Sequence, residues 1–134
     1  MIDIRASNKG LLMRELAGKA AASLGVSVDV VVSHLLKREG LGSTGIGRGV
    51  AIPHARLRDL QHPYGLLAKL EKGIEFDAID GQAVDIVFVL LLPAAVENEA
   101  LAALALVART FRSPETLARL RAAKSASELY AAMA

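Results

Sequence analysis

The chain has 134 residues, a net charge of +2 from 16 basic and 14 acidic side chains, no cysteine, and 53% hydrophobic but only 4% aromatic residues. That length suits one domain with a sizeable core, and an interior built from Ala, Leu, Val and Ile favours helices over an all-β sandwich. The missing cysteines exclude a disulfide framework, a thiol nucleophile and Cys-based zinc or iron–sulfur sites, and mixed charges with few aromatics argue against a nucleic-acid partner.

The longest apolar run, residues 86–96, has 11 residues and contains Pro93, well short of the ~20 needed to cross a bilayer. Met1-Ile2-Asp3-Ile4-Arg5 carries an early acid and no apolar signal core, so a cytoplasmic protein without membrane insertion is expected.

From Lys9 to Leu24, Leu11, Leu12, Leu16, Ala20 and Leu24 recur at helical spacing, with Ser7 or Asn8 as N-cap and Gly25 as terminator. Ser27 caps a second predicted helix whose face is Val28, Val31, Val32, Leu35 and Leu36, closed by Gly40. Residues 41–49 read as a loop and Val50 to Pro53 as a short buried strand. Pro53 has a fixed φ and no N–H, so it is expected to end the ladder and leave His54 at the sheet's edge. Residues 56–64 read as a polar loop, Leu66 to Leu70 as a strand with its turn at Lys72-Gly73, and residues 76–82 as a further turn. Val84 to Leu92, a nearly unbroken β-branched and Leu run, is expected in mid-sheet with both faces covered.

Helices are predicted from Glu97 to Phe111, from Ser113-Pro114 with Pro at the first helical position, and through the capping box Ser125-Ala126-Ser127-Glu128 at the end. Helices at both ends with strands between them indicate an α/β sandwich forming one domain over residues 1–134, with the strand order left open.

The segment Gly45-Ile46-Gly47-Arg48-Gly49-Val50-Ala51-Ile52-Pro53-His54 leads from a glycine-rich loop through a buried strand to a single imidazole. Its glycines permit positive φ and close backbone approach, and a neutral imidazole is a nucleophile near pH 7. The glycines do not make a nucleotide fingerprint. Gly42 and Gly47 have the P-loop gap, but Arg48-Gly49 stand where Lys and Ser or Thr are required, and Val50 replaces the third glycine of a dinucleotide motif.

No cofactor and no metal is therefore expected. His34, in the second helix, and His62, in a polar loop, lack metal-ligand spacing to His54 and are explained by partial burial and exposure respectively. Asp77 and Asp80 read as turn acids bonding their own backbone rather than as a catalytic pair. Arg48 and Arg56 read as solvated charges or docking contacts.

Residues 37–55, from Lys37-Arg38-Glu39 through Ser43-Thr44-Gly45 to Ile52-Pro53-His54-Ala55, resemble the signature of the fructose–mannitol type of enzyme IIA domain of the bacterial sugar phosphotransferase system. Residues 76–82, the strand ending at Pro93, and Arg119-Leu120-Arg121-Ala122-Ala123 before Glu128-Leu129-Tyr130 resemble that family's nitrogen-regulatory branch; the likeness runs from about Asp3 onward. The resemblance implies a mixed β-sheet sandwiched between helices. It also implies a histidine, matched by His54, that accepts a phosphoryl group from HPr or its nitrogen-branch equivalent, with an arginine beside it, matched by Arg38. The transferred group carries up to about two negative charges, and backbone amides around Ser43, Thr44, Gly45 and Gly47 are candidates for an anion nest.

What is implied is a carrier with no free small-molecule substrate, whose phosphorylation state selects regulatory targets such as sensor kinases or potassium transport systems. The oligomeric state is left open, a homo-oligomer included. The alternatives are an interaction module that has lost phosphorylation and a sugar-specific IIA passing phosphate to a transporter domain. Two departures stand out. Many members carry a second active-site histidine early in the helix after the core strand, where Ala100 stands here, with Glu97 and Glu99 bringing negative charge nearby. The chain also starts later than typical members, which implies a short or absent amino-terminal packing segment.

Overall fold

The most apolar stretch of the sequence becomes the central strand of the fold. The computed structural model describes residues 4–58, 60–94 and 97–133. The elements are α1 (Lys9–Leu24), α2 (Val28–Leu41), β1 (Gly45–Gly47), β2 (Val50–Ala51), β3 (His54–Leu57), β4 (Tyr64–Ile74), β5 (Val84–Pro93), α3 (Glu97–Thr110), α4 (Pro114–Ala122) and α5 (Ala126–Met133). Strand β5 pairs antiparallel with β4 on one side and parallel with both β2 and β3 on the other, while β1 pairs antiparallel with β2. Among the described residues no helix is long and apolar enough to cross a membrane.

Side chains alternate across a strand, and β5 uses both faces. Val87, Val89 and Leu91 join the cluster of Leu12, Leu16, Val31 and Leu35 under α1 and α2. Ile86, Leu90 and Leu92 join Phe111, Leu117, Leu120 and Leu129 under α3, α4 and α5. The rings of Phe88 and Phe111 meet at 5.7 Å with a 55° tilt, a geometry that suits their quadrupoles. The result is the expected α/β sandwich.

Helix ends follow their capping chemistry. Asn8 accepts the Leu11 N–H at 3.0 Å, and Gly25 closes α1 at φ 69. Ser113 accepts the Thr116 N–H ahead of Pro114. At α5, Ser125 Oγ accepts from the Glu128 N–H, and the Glu128 carboxylate accepts from the Lys124 N–H, one residue earlier than a standard capping box. Helix α2 makes no side-chain cap bond at Ser27 and continues past Gly40 to Leu41.

Three expectations are corrected. Residues 41–49 are not all loop, because Gly45–Gly47 forms β1 and turns into β2 through Arg48 and Gly49, at φ 58 and 79. Paired positive φ values give a two-residue hairpin the twist its strands need. Pro53 interrupts the edge but does not end it: Val50 lies opposite Ile86 and His54 opposite Leu90, one unchanged register along β5. Proline lacks a donor but keeps its acceptor, and the Pro53 carbonyl takes the Leu90 N–H at 2.9 Å. Arg56 and Leu57 are therefore strand, not loop. Finally, β4 extends to Ile74, so Lys72-Gly73 lies within it, where the register with β5 shifts between Lys69 and Ile74.

The β1–β2 turn is clamped from outside. Asp80 accepts the Arg48 N–H at 2.9 Å and the Gln82 N–H at 3.1 Å, and these two donors hold its carboxyl below the usual range. Arg48 Nη1 reaches the Arg112 carbonyl at 2.8 Å, and Arg121 pairs with Asp85 and donates to the Arg48 carbonyl. A Cβ on Gly49 would lie 2.6 Å from Arg121 Nη2 and 2.8 Å from Asp85 Oδ1. Gly49→Ala is expected to cost about 1–2 kcal/mol in urea unfolding, from positive φ as much as from crowding. An unchanged midpoint would show the turn to be slack.

Candidate functional site

Three walls meet beside β3. Ala55 and Leu57 point into the α1/α2 cluster, so His54 and Arg56 share the opposite face of the sheet. On α2, His34, Lys37, Arg38 and Leu41 fall at i, i+3, i+4 and i+7 and make one stripe. Helix α3 contributes Ala100, Leu101 and Leu104. Together with Leu92 these residues line a cavity of about 320 Å³.

The break at Ile52-Pro53 orients the imidazole. His54 Nδ1 lies 2.8 Å from the Ile52 carbonyl, outside the strand ladder. A carbonyl oxygen only accepts, so Nδ1 carries the proton and Nε2 holds the lone pair. The ring is partly buried and held at Nδ1.

Arg38 sits in the last turn of α2 and gives Nη1 to the Gly42 carbonyl at 2.9 Å, satisfying one of the acceptors a helix end leaves open. A guanidinium has five N–H donors, so this bond leaves most of its capacity. Arg56 Nη2 donates to the Ala94 carbonyl at 2.9 Å. Among the described residues lining the cavity, Lys37, Arg38 and Arg56 are cationic and none is a carboxylate. Such a pocket receives anions: one cation ~4 Å from a unit negative charge contributes ~4 kcal/mol of attraction at an effective dielectric of 20, before desolvation.

The structure brings His54 and Arg38 together, but not Ser43, Thr44, Gly45 and Gly47, none of which lines this cavity. Their polar groups close the fold instead. Ser43 Oγ donates to the Phe76 carbonyl and accepts the Gly45 N–H. The Thr44 N–H and hydroxyl go to the Glu39 carboxylate, and Gly47 lies opposite Val50 in the hairpin. These hydrogen bonds of Ser43, Thr44 and Gly45 are thus made within the fold and not toward this cavity.

Ala100 lies on the cavity wall, where it is 4% exposed. Glu99 is exposed and does not line the cavity; the side chain of Glu97 lies outside the described residues. Arg56, expected as a solvated charge or docking contact, and His34, expected to be partly buried but exposed here, both line the cavity, as does Lys37, to which the sequence assigned no role. The signal for His34 was its four-residue spacing to Arg38. His62 is exposed elsewhere.

An oriented imidazole thus borders a pocket that is cationic and, among its described residues, free of carboxylates, at the interrupted edge of a mixed sheet. Comparison over the whole sequence gives the class: the chain belongs to the family described as "Phosphoenolpyruvate-dependent sugar phosphotransferase system, EIIA 2", matched over residues 1–134. Within it the similarity runs to the nitrogen-regulatory branch. The chain is 41% identical over 131 residues to a nitrogen regulatory protein of Bradyrhizobium diazoefficiens, covering 98% of this chain and 86% of that one. Its fold superposes on the crystal structure of the nitrogen regulatory protein IIA-Ntr from Neisseria meningitidis with a TM-score of 0.93 at 32% identity, covering 99% and 91% of the two chains. The fold also matches enzyme IIA of mannitol from Escherichia coli, solved in complex with phosphorylated enzyme IIB, with a TM-score of 0.79 at 17% identity over 98% and 92% of the chains.

Proposed function

We propose that this protein is a regulatory phosphoryl carrier in which His54 Nε2 accepts a phosphoryl group from the phosphohistidine of an HPr-like carrier. The bond from phosphorus to Nε2 forms as the bond to the carrier's imidazole breaks, and the carrier leaves with that electron pair. Attack makes the His54 ring cationic, and the bond from Nδ1–H to the Ile52 carbonyl stabilises it. Arg38, with Lys37 and Arg56, offsets the charge on the transferred group.

The observation that carries this reading is the Nδ1–Ile52 contact of 2.8 Å, which assigns the proton of the neutral ring to Nδ1 and its lone pair to Nε2 in a residue of the cationic cavity. The relatives named nitrogen regulatory proteins support a regulatory output; in this reading the phosphorylation state selects protein targets such as sensor kinases or potassium transport systems. Ala100 on the wall favours a second reading, an interaction module without phosphorylation.

Incubation with phosphoenolpyruvate, the general phosphotransferase enzyme and an HPr-like carrier separates the two. Acid-labile phosphate on Nε2, located by nitrogen NMR of the imidazole, is the expected result. No incorporation overturns the carrier reading, and phosphorus on Nδ1 overturns the assignment of Nε2 as the nucleophile. Arg38→Ala is expected to slow incorporation about ten- to a hundred-fold, with Arg38→Lys recovering part of the loss. An unchanged rate would remove Arg38 from the site.

A further inference from the structure

We propose that the outer face of α3 is a self-association surface, on which a second copy of this chain lays its own α3 antiparallel. The inference is independent of the role given to His54. Residues 100–108 are all Ala, Leu or Val, so the middle of this helix is apolar on every side. Such a helix is ordinarily buried all round, and α3 is not. Ala103, Leu104, Val107 and Ala108 pack against the core, while Ala100, Leu101 and Leu104 line the cavity. Ala102, Ala105 and Leu106 belong to neither group and are exposed, Leu106 at 61%.

The charges at the ends of this outer face choose its occupant. Glu99, Ala102, Leu106 and Arg109 follow one another at steps of three, four and three residues, which sets them in one stripe along the helix. The stripe is balanced about Leu104: an acid and a base lie five residues to either side, and a small and a large apolar residue lie two to either side. Glu99 and Arg109 are exposed, and their side chains make no hydrogen bond or ion pair among the described residues.

A two-fold axis at that midpoint sets residue i of one copy against residue j of the other, and j against i. Glu99 then faces Arg109 of the second copy at both ends, and each Leu106 rests on the Ala102 opposite, whose methyl group leaves room for it. A parallel arrangement would set Glu99 against Glu99 and Arg109 against Arg109. The two ion pairs, about 15 Å apart along the helix axis, fix the direction, and the apolar centre supplies most of the attraction. Ala100 and Leu104 lie across the helix from this stripe, so the pairing does not draw on the cavity. One helix face is small for an interface, which makes the dimer weak, with a dissociation constant on the order of 100 µM.

The test is sedimentation equilibrium of the full chain between about 10 µM and 1 mM. A monomer–dimer equilibrium with nothing larger is expected, because a two-fold contact closes on itself. Arg109→Glu or Glu99→Arg alone turns both ion pairs into repulsions and should weaken the dimer about ten-fold. The two substitutions together restore opposite charges and should recover most of that loss. Leu106→Gln should weaken the dimer at least as much as either single reversal. All three positions are exposed, so the variants should keep the fold, checked by thermal midpoints close to that of the unmodified chain. A monomer at every concentration overturns the proposal, as does a dimer indifferent to Leu106→Gln, or a double reversal that associates no better than the single ones. A chain that stays monomeric and whose Leu106→Gln form loses binding to an HPr-like carrier also overturns it, and gives this face to the carrier.

Discussion

His54→Ala and His54→Gln are expected to incorporate phosphate more than about a thousand-fold more slowly than the unmodified chain, because loss of a nucleophile removes the covalent step itself. The glutamine variant is the sharper of the two. Its amide is an N–H donor for the Ile52 carbonyl and keeps the polar contact at the β2–β3 break, but it holds no nucleophilic lone pair. His54 is only partly buried, so both variants should unfold within a few degrees of the unmodified protein, and lost labelling cannot then be ascribed to lost fold. The chain contains three histidines. His62 is exposed and lies outside the cavity, while His34 shares it. Label retained in His54→Gln would therefore place the acceptor elsewhere, and peptide mapping to His34 would make that imidazole the acceptor.

Much of this site is legible in local sequence, for identifiable reasons. The motif around Pro53-His54 forecasts an oriented imidazole at a strand break because proline removes a donor wherever it stands. Arg38 is forecast only through family resemblance. What sequence alone does not show is which donors a fold consumes internally. Ser43 and Thr44 look like phosphate ligands because their hydroxyls sit in a glycine-rich segment, yet Phe76, 33 residues from Ser43, and Glu39 take them. The continuation of the edge strand past Pro53 is hidden for a similar reason. The interruption is local, but the resumed pairing depends on β5, whose Leu90 N–H the Pro53 carbonyl still accepts. His34 is passed over because partial burial on α2 would account for it without chemistry, whereas the structure leaves it exposed. Only the packing of α2 beside β3 and α3 shows that this stripe borders a cavity.

Glu39→Ala is expected to destabilise the fold by about 3 kcal/mol, the scale at which breaking a buried ion pair leaves uncompensated partners. Glu39 is 8% exposed on the last turns of α2. Its carboxylate accepts the Thr44 N–H at 3.0 Å and the Thr44 hydroxyl at 2.6 Å, and Lys9 Nζ of α1 lies 2.7 Å away. The same ammonium sits 4.8 Å above the ring of Phe76 and near its carbonyl, so one carboxylate joins α1, α2, the start of the hairpin and the segment after β4. Alanine would leave the hydroxyl and N–H of Thr44, itself 5% exposed, without acceptors, and the Lys9 ammonium without its counter-charge.

Glu39→Gln keeps one acceptor oxygen and replaces the other, with its charge, by an NH2 group; the oxygen can still take the Thr44 N–H and the Thr44 hydroxyl can turn to accept, so it should lose less than alanine. Adding Lys9→Met to Glu39→Ala should recover part of the loss, because a methionine needs no partner. For a chain of this size about 3 kcal/mol lowers the thermal midpoint by about 10 °C. Phosphate incorporation measured well below that midpoint should fall much less than in Arg38→Ala, since Glu39 faces away from the cavity its neighbour lines. A Glu39→Ala midpoint within a degree or two of the unmodified chain would show that water replaces the carboxylate at Thr44, and that α2 is held in place by apolar packing against α1 instead.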